Sequence, residues 1–185
     1  MGDAAARGLA GGALVIARMR GILGLAFLLI GMFAAPPLAQ ARETVAFDNS
    51  YISGTVVVRT NERRLYYVLG GGKALRYPVG VGRAGKSWVG SAYITRKVRN
   101  PDWSPPAEVR RDKPSLPHVI RGGTPQNPMG VAAMTLSGGE YAIHGTNAPG
   151  SVGGFVSYGC FRMYNADVLD LFDRVSFGTQ VIVER

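Results

Sequence analysis

Short runs of β-branched and aromatic residues, bounded by glycine, proline or asparagine, recur along most of the chain after residue 54. Such runs are typical of β-strands. They predict strands at residues 55–59, 64–69, 74–79, 91–98, 131–136, 141–144 and 179–184. A glycine-rich turn at residues 70–73 joins the second and third runs, which predicts a β-meander. We therefore expect a mainly β domain.

One segment has helical spacing instead. Its apolar residues recur at intervals of three and four: Val168, Leu169, Leu171, Phe172 and Val175. Asn165 is suited to cap the start, and acidic residues at 167 and 170 suit the positive end of a helix. The pattern predicts a helix at residues 166–175 that packs on the sheet.

Six prolines lie between residues 100 and 126. Proline lacks the N–H that a central strand needs, so this segment cannot belong to the middle of a sheet. We interpret it as a long ordered loop over the domain. Long loops in compact domains are usually functional or disordered.

The first 41 residues have the order of a secretory signal peptide. Arg18 and Arg20 precede an apolar run at residues 22–33, and Ala39-Gln40-Ala41 supplies small residues for cleavage. We predict cleavage after Ala41, and translation starts at Met1 or at Met19; an uncleaved membrane anchor is the alternative. This gives a signal peptide at 1–41, a short linker at 42–54 and one domain at 55–185.

The net charge of +9 favours an anionic partner. Loss of residues 1–41 removes three arginines and one aspartate, which leaves 18 basic and 11 acidic residues and a charge of +7. These basic residues are scattered, and an exported protein meets the cell envelope rather than nucleic acid. A single cysteine excludes an intrachain disulfide, and with two histidines it argues against a structural zinc site.

The lone cysteine, Cys160, and one of the two histidines, His144, are the candidates for chemistry. A thiol is mostly protonated at neutral pH, so a catalytic cysteine needs a base or a cation beside it. Gly159 lets the backbone turn sharply before the thiol, and Arg162 could bind a substrate carboxylate through two hydrogen bonds. From residue types alone, a buried inert thiol and a solvated arginine remain alternatives.

These residues lie in motifs that resemble the L,D-transpeptidase catalytic domain, also called the YkuD domain. The motifs are His-Gly-Thr-Asn at 144–147 and Ser-Tyr-Gly-Cys-Phe-Arg-Met at 157–163. Further similarity lies in the opening strands at 64–82, in Asn-Pro-Met-Gly at 127–130 and in the closing strand at 178–181. The resemblance spans residues 55–183 and implies a β-sandwich or cradle of mixed sheets with one helix in the C-terminal half.

The resemblance implies an acyltransferase of the periplasm or cell envelope that acts on peptidoglycan stem peptides without a cofactor or metal. Cys160 would attack the carbonyl of the third residue, a diamino acid, and D-alanine would leave. The acyl group would then pass to a neighbouring stem amine in a 3→3 cross-link, to a lysine of an envelope protein, or to water. We expect a monomer that binds no nucleic acid.

By position in the motifs, His144 would be the general base and the backbone carbonyl of Gly145 would orient its imidazole. Arg162 would contact the substrate, and we include Ser157, Tyr158 and Gly159 in the same substrate-binding segment.

Tyr158 departs from the family, which commonly has histidine there. A phenol with a pKa near 10 cannot act as a base at neutral pH, which leaves His144 as the only base in the motifs.

His118 lies in the proline-rich segment, and we take it as structural or solvated. An L,D-carboxypeptidase, and a non-catalytic peptidoglycan-binding protein, are the alternative functions.

Overall fold

Eleven strands, two α-helices and one short 3-10 helix are formed by residues 42–185, the part of the chain that the computed structural model describes. The strands are β1 Glu43–Ala46, β2 Val56–Arg59, β3 Arg64–Gly70, β4 Lys73–Pro78, β5 Val81–Gly82, β6 Gly90–Arg99, β7 Ala132–Leu136, β8 Ala142–His144, β9 Phe155–Ser157, β10 Phe161–Arg162 and β11 Gln180–Glu184. The helices are α1 Ala107–Asp112 and α2 Asn165–Arg174, with the 3-10 turn at Pro149–Ser151. Neither helix is long and apolar enough to cross a membrane.

All seven predicted strands are present, with ends that differ by at most one residue. The strands that sequence patterns missed are β1, β5, β9 and β10, which have two to four residues each. β1 lies in the segment 42–54 that was expected to be a linker, and it pairs antiparallel with β4. The predicted signal peptide at 1–41 lies outside the described residues.

The predicted helix in the C-terminal half is α2, but its expected cap is wrong. The helix starts at Asn165 itself, and the preceding Tyr164 makes no side-chain cap. The side chain of Asn165 accepts a hydrogen bond from the backbone N–H of Thr146 at 3.0 Å. A second helix, α1, lies in the proline-rich segment that was expected to be a loop, and it begins directly after Pro106.

Nine strands form one mixed sheet in the order β1-β4-β3-β2-β11-β6-β7-β8-β10, and β5 and β9 form a parallel pair. The pairs β2/β11 and β8/β10 are parallel, whereas the other pairs in the large sheet are antiparallel. β6 joins the two halves, because its first residues pair with β11 and its last with β7, across an irregularity between Ile94 and Arg96. The prediction of a mainly β fold with mixed sheets is confirmed.

The main core lies between this sheet and α2. Fully buried residues from both halves of the sheet, among them Val56, Ile94 and Met134, form one cluster with Val168 and Leu171 of α2. Each such side chain stabilises the fold by about 1.5–3 kcal/mol on burial. The helix therefore supports β7 and β8 from one side and fixes the strand end that carries His144.

Candidate active site

Two short parallel strands bring the predicted catalytic residues together. In the pairing of β10 with β8, Arg162 lies opposite His144, and Phe161 lies opposite Ile143. Cys160 immediately precedes β10 and therefore lies at the same end of the strand pair. Cys160, His144 and Arg162 all line one cavity of about 280 Å³.

The imidazole of His144 is held in one orientation. Its Nδ1 lies 2.6 Å from the backbone carbonyl oxygen of Gly145. Because a carbonyl can only accept, Nδ1 carries the proton in the neutral ring and Nε2 is left as the basic atom. Burial and the charge of Arg162 lower the pKa of His144 to about 4, so the ring is neutral at pH 7.

Residue 145 must be glycine, because a side chain would not fit there. A Cβ on this residue would lie 2.3 Å from Oδ1 of Asn165. The same oxygen accepts the hydrogen bond from the N–H of Thr146, so α2 fixes the backbone directly after His144. The backbone that carries the orienting carbonyl is thus held by Asn165 at the start of a helix, nineteen positions beyond Thr146 in the chain.

The thiol of Cys160 is enclosed on one side and opens into the cavity on the other. Its Sγ lies 3.8 Å from the carbonyl oxygen of Glu140, and within residues 42–185 no hydrogen bond joins it to His144. Burial raises the pKa of Cys160, while the N–H of Ala142 and the charge of Arg162 oppose the shift. The resting site therefore holds a neutral thiol beside a neutral imidazole.

The turn before Cys160 requires glycine and is braced by Ser157. Gly159 has a φ of +122°, and a Cβ there would lie 2.4 Å from the ring of Tyr141. The hydroxyl of Ser157 donates to the carbonyl of Cys160 at 2.6 Å and accepts from the N–H of Gly159 at 3.1 Å. Trp88 donates from Nε1 to the carbonyl of Gly159 at 3.0 Å. The Ser157 hydroxyl, expected in the substrate-binding segment, is thus used inside the turn.

Arg162 is a largely buried cation without an anionic partner among the described residues. Its Nη1 donates to the hydroxyl of Ser151 at 3.2 Å, and its buried Nε has no hydrogen-bond partner. Burial lowers the pKa of Arg162, yet a guanidinium stays charged at any physiological pH. A buried, unpaired guanidinium that faces a cavity is suited to bind a carboxylate through two hydrogen bonds.

Tyr158 points toward α1. Its hydroxyl donates to Oδ2 of Asp112 at 2.6 Å, and its ring lies 4.0 Å from the guanidinium carbon of Arg83. Arg83 also binds Asp112 at 2.8 Å, and a second ion pair joins Lys86 to Glu108. These contacts attach α1 of the proline-rich segment to the strands that carry the nucleophile.

His118 is exposed, with Nδ1 3.3 Å from Nη1 of Arg110, and it does not line the cavity. Within residues 42–185, no group of three His, Cys, Asp or Glu side chains is arranged to hold a metal ion.

Sequence reasoning missed Trp88, Tyr141 and Asn165 as supports of the site. None of them stands at a diagnostic spacing, because each reaches the site through contacts between distant parts of the chain.

A cysteine, a buried histidine and a buried arginine at neighbouring strand ends of a mainly β domain define a thiol-nucleophile site. The family model described as L,D-transpeptidase catalytic domain, YkuD, matches residues 53–183. The chain therefore belongs to the YkuD family, and the resemblance found in its motifs is confirmed.

Individual relatives agree with this family. A probable L,D-transpeptidase, ErfK/SrfK, from Salmonella typhimurium is 41% identical over 140 residues, which are 70% of this chain and 44% of that protein. The chain thus spans less than half the length of this curated relative.

Solved structures are similar in fold. An L,D-transpeptidase from Mycobacterium smegmatis has a TM-score of 0.57 at 18% identity, covering 72% of this chain and 59% of its own. A structure from Brucella melitensis, described as a probable carnitine operon oxidoreductase, has a TM-score of 0.52 at 38% identity. The match covers 81% of this chain and 96% of the Brucella chain. The name of that protein indicates a different activity from that of the matched family.

Proposed function

We propose that this protein is a peptidoglycan L,D-transpeptidase in which Cys160 carries the acyl group. The observation that supports this most is the meeting of Cys160, His144 and Arg162 in one cavity of a YkuD domain. Within that cavity the thiol supplies the nucleophile, the imidazole supplies a base, and the guanidinium supplies a binding site for a carboxylate. The proposed substrate is a tetrapeptide stem whose third residue is a diamino acid.

In the first half-reaction, the thiol proton passes to Nε2 of His144 while Sγ attacks the carbonyl carbon of the diamino acid. The resulting tetrahedral intermediate collapses as His144 returns the proton to the departing amine of D-alanine. A thioester on Cys160 remains. This sequence uses the tautomer that the Gly145 carbonyl favours, in which Nε2 is the unprotonated nitrogen.

Substrate binding strengthens the base. The charge of Arg162 is one of the causes that lower the pKa of His144. A carboxylate on Arg162 would neutralise that charge, which raises the pKa of the imidazole and makes it a stronger base. The same neutralisation removes a cation that favours the Cys160 thiolate, so one arginine couples substrate binding to the pKa of both reacting groups.

In the second half-reaction, an amine attacks the thioester, gives its proton to Nε2 of His144, and displaces the thiolate, which regains the proton. The acceptor is the side-chain amine of another stem or of a lysine on an envelope protein. When water is the acceptor, the protein acts as an L,D-carboxypeptidase.

The proposed location is the periplasm or cell envelope, where the substrate lies. The basic flank, short apolar run and small-residue site in residues 1–41 support export. The charge of +7 on residues 42–185 suits an anionic envelope and does not require nucleic acid. We propose that the protein acts as a monomer.

Incubation with a disaccharide tetrapeptide, followed by mass spectrometry of the products, tests the function. We expect loss of D-alanine and formation of dimers with the wild-type protein, and neither with Cys160→Ala. Loss of D-alanine without dimers would support the carboxypeptidase. Binding of the peptide without loss of D-alanine would support the non-catalytic binding protein and would overturn the proposal.

A further inference from the structure

Two glutamates line the cavity beside Cys160, and they differ in their partners. The carboxylate of Glu108 forms an ion pair with Lys86. Within residues 42–185, the carboxylate of Glu140 has no ion pair and no side-chain hydrogen bond, and the residue is exposed. Glu140 is therefore the carboxylate of this cavity that can pair with an incoming cation.

The backbone fixes Glu140 beside the nucleophile. It is the last residue of the turn 137–140 between β7 and β8, which the N–H of Leu136 closes by donating to the carbonyl of Tyr141 at 2.9 Å. Ser137, at the other end of the turn, exchanges two hydrogen bonds of 2.9 Å with the backbone of Tyr93 on β6. The carbonyl of Glu140 itself lies 3.8 Å from Sγ of Cys160.

An unpaired carboxylate at this position opposes the first chemical step. Its charge is among the causes that raise the pKa of Cys160, since a nearby negative charge disfavours a thiolate. A bound cation would remove that penalty. The substrate class of the proposed function carries such a cation, because a diamino acid has a side-chain amine that is protonated at neutral pH.

We infer that Glu140 binds the side-chain ammonium of the diamino acid at the mouth of the cavity, next to Cys160. The role rests on the proposed function. The ammonium can come from the donor stem, whose third residue forms the thioester, or from the acceptor stem. In the second case the bound ammonium first loses a proton to the Glu140 carboxylate or to water, and the resulting amine attacks the thioester. In either case Glu140 is a specificity-determining residue that selects stems with a free amine.

Equilibrium binding tests the donor source without turnover. Titration calorimetry on Cys160→Ser measures the Kd of a tetrapeptide stem with a free side-chain amine and of the same stem with that amine acetylated. We expect the free amine to bind about two- to fivefold more tightly, as an exposed ion pair allows, and Glu140→Gln to abolish the difference. Glu43→Gln is the matched control, because β1 lies at the opposite edge of the sheet from β10.

The second arm measures the acceptor source. The thioester is formed from the acetylated donor, and its partition between water and an added amine stem is followed as the amine concentration rises. If Glu140 binds the acceptor, Glu140→Gln raises the half-saturating amine concentration about two- to fivefold. Release of D-alanine from the acetylated donor should not slow, since the substitution also removes a charge that disfavours the thiolate. A change in either arm supports the inference.

The inference is overturned if Glu140→Gln alters neither the preference for a free amine nor the half-saturating amine concentration by as much as twofold. Failure of the proposed function has a different signature, since the wild-type protein would then release no D-alanine from either stem. The calorimetric measurement of Kd still tests the role of Glu140 in that case, because it does not depend on turnover.

Discussion

Cys160 and His144 are both kept neutral by burial, which moves their pKa values in opposite directions. The thiol is harder to deprotonate than a free cysteine, and the imidazole is harder to protonate than a free histidine. A preformed thiolate–imidazolium pair is therefore disfavoured in the resting protein. The nucleophile must be generated as the substrate binds and reacts.

This predicts the pH dependence of Cys160 alkylation. A thiol with a raised pKa stays protonated at neutral pH, so the rate with iodoacetamide should rise with pH and inflect at a higher pH than in the unfolded protein. The rate is measured by intact mass between pH 6 and 10, and the unfolded protein, whose thiol is solvated, is the control. An inflection below that of the unfolded protein would contradict the neutral pair.

The role of Arg162 predicts the effect of a conservative substitution. Arg162→Lys keeps the charge but loses the planar pair of donors, so binding of a stem carboxylate should weaken by about tenfold or more. Kinetics on stems with free and amidated carboxyl groups measure this. The loss caused by Arg162→Lys should shrink on the amidated stem, and an equal loss on both stems would exclude a contact between Arg162 and that carboxylate.

Sequence motifs identified the reactive residues but not the groups that hold them. Cys160, His144 and Arg162 stand in motifs whose types and order indicate their chemistry. The close approach of Gly159 to Tyr141, and of Gly145 to Asn165, depends on pairs far apart in the chain. No local pattern reports such a pair, so the supports of the site emerge only with the fold.

At the scale of elements, α1 is attached to the nucleophile turn by Tyr158. The side chain that replaces the family's histidine gives its hydroxyl to Asp112 at the end of α1. The phenol at this position therefore acts on the proline-rich segment.

Removing the hydroxyl with Tyr158→Phe should loosen this attachment. We expect amide hydrogen exchange in residues 101–124 to become faster, since one hydrogen bond to a charged group contributes about 1.5–3 kcal/mol at most and less at an exposed site. The alkylation inflection of Cys160 should stay unchanged. Tyr93→Phe, an exposed tyrosine with no hydroxyl partner among the described residues, is the control. A shifted inflection in Tyr158→Phe would mean that the phenol acts on the thiol.

Element prediction succeeded for every strand of five or more residues. β3 and β6 have seven and ten residues and were predicted. β10 has two residues, yet its parallel pairing with β8 is the contact that aligns Arg162 with His144. Such a pairing follows from tertiary structure and cannot be found in a two-residue pattern.

At the scale of the whole molecule, the buried histidine links the active site to stability. The pKa of His144 is about 4 in the folded protein and about 6.5 when unfolded, so the unfolded chain binds more protons between these values. The contribution of neutral His144 to the free energy of unfolding is therefore full above pH 6.5. It is lost as the pH falls toward 4.

This predicts that acid destabilises the wild-type protein more than His144→Gln. Over the window from pH 6.5 to 4, the wild type should lose about 3 kcal/mol of unfolding free energy that the variant does not lose. Denaturant titrations at several pH values measure the difference. Both proteins carry the same carboxylates, so parallel losses in the two would mean that His144 is not buried in its neutral form.

The proposed function depends on a thioester between Cys160 and the stem peptide. The most direct test mixes the wild-type protein with a tetrapeptide stem, quenches in acid within the first turnover, and measures the intact mass and the modified peptide. The account predicts a mass increase equal to the stem without its terminal D-alanine, located on Cys160 and absent from Cys160→Ser. Release of D-alanine with no acyl group on Cys160 at any quench time, or with an undiminished rate in Cys160→Ser, would contradict it.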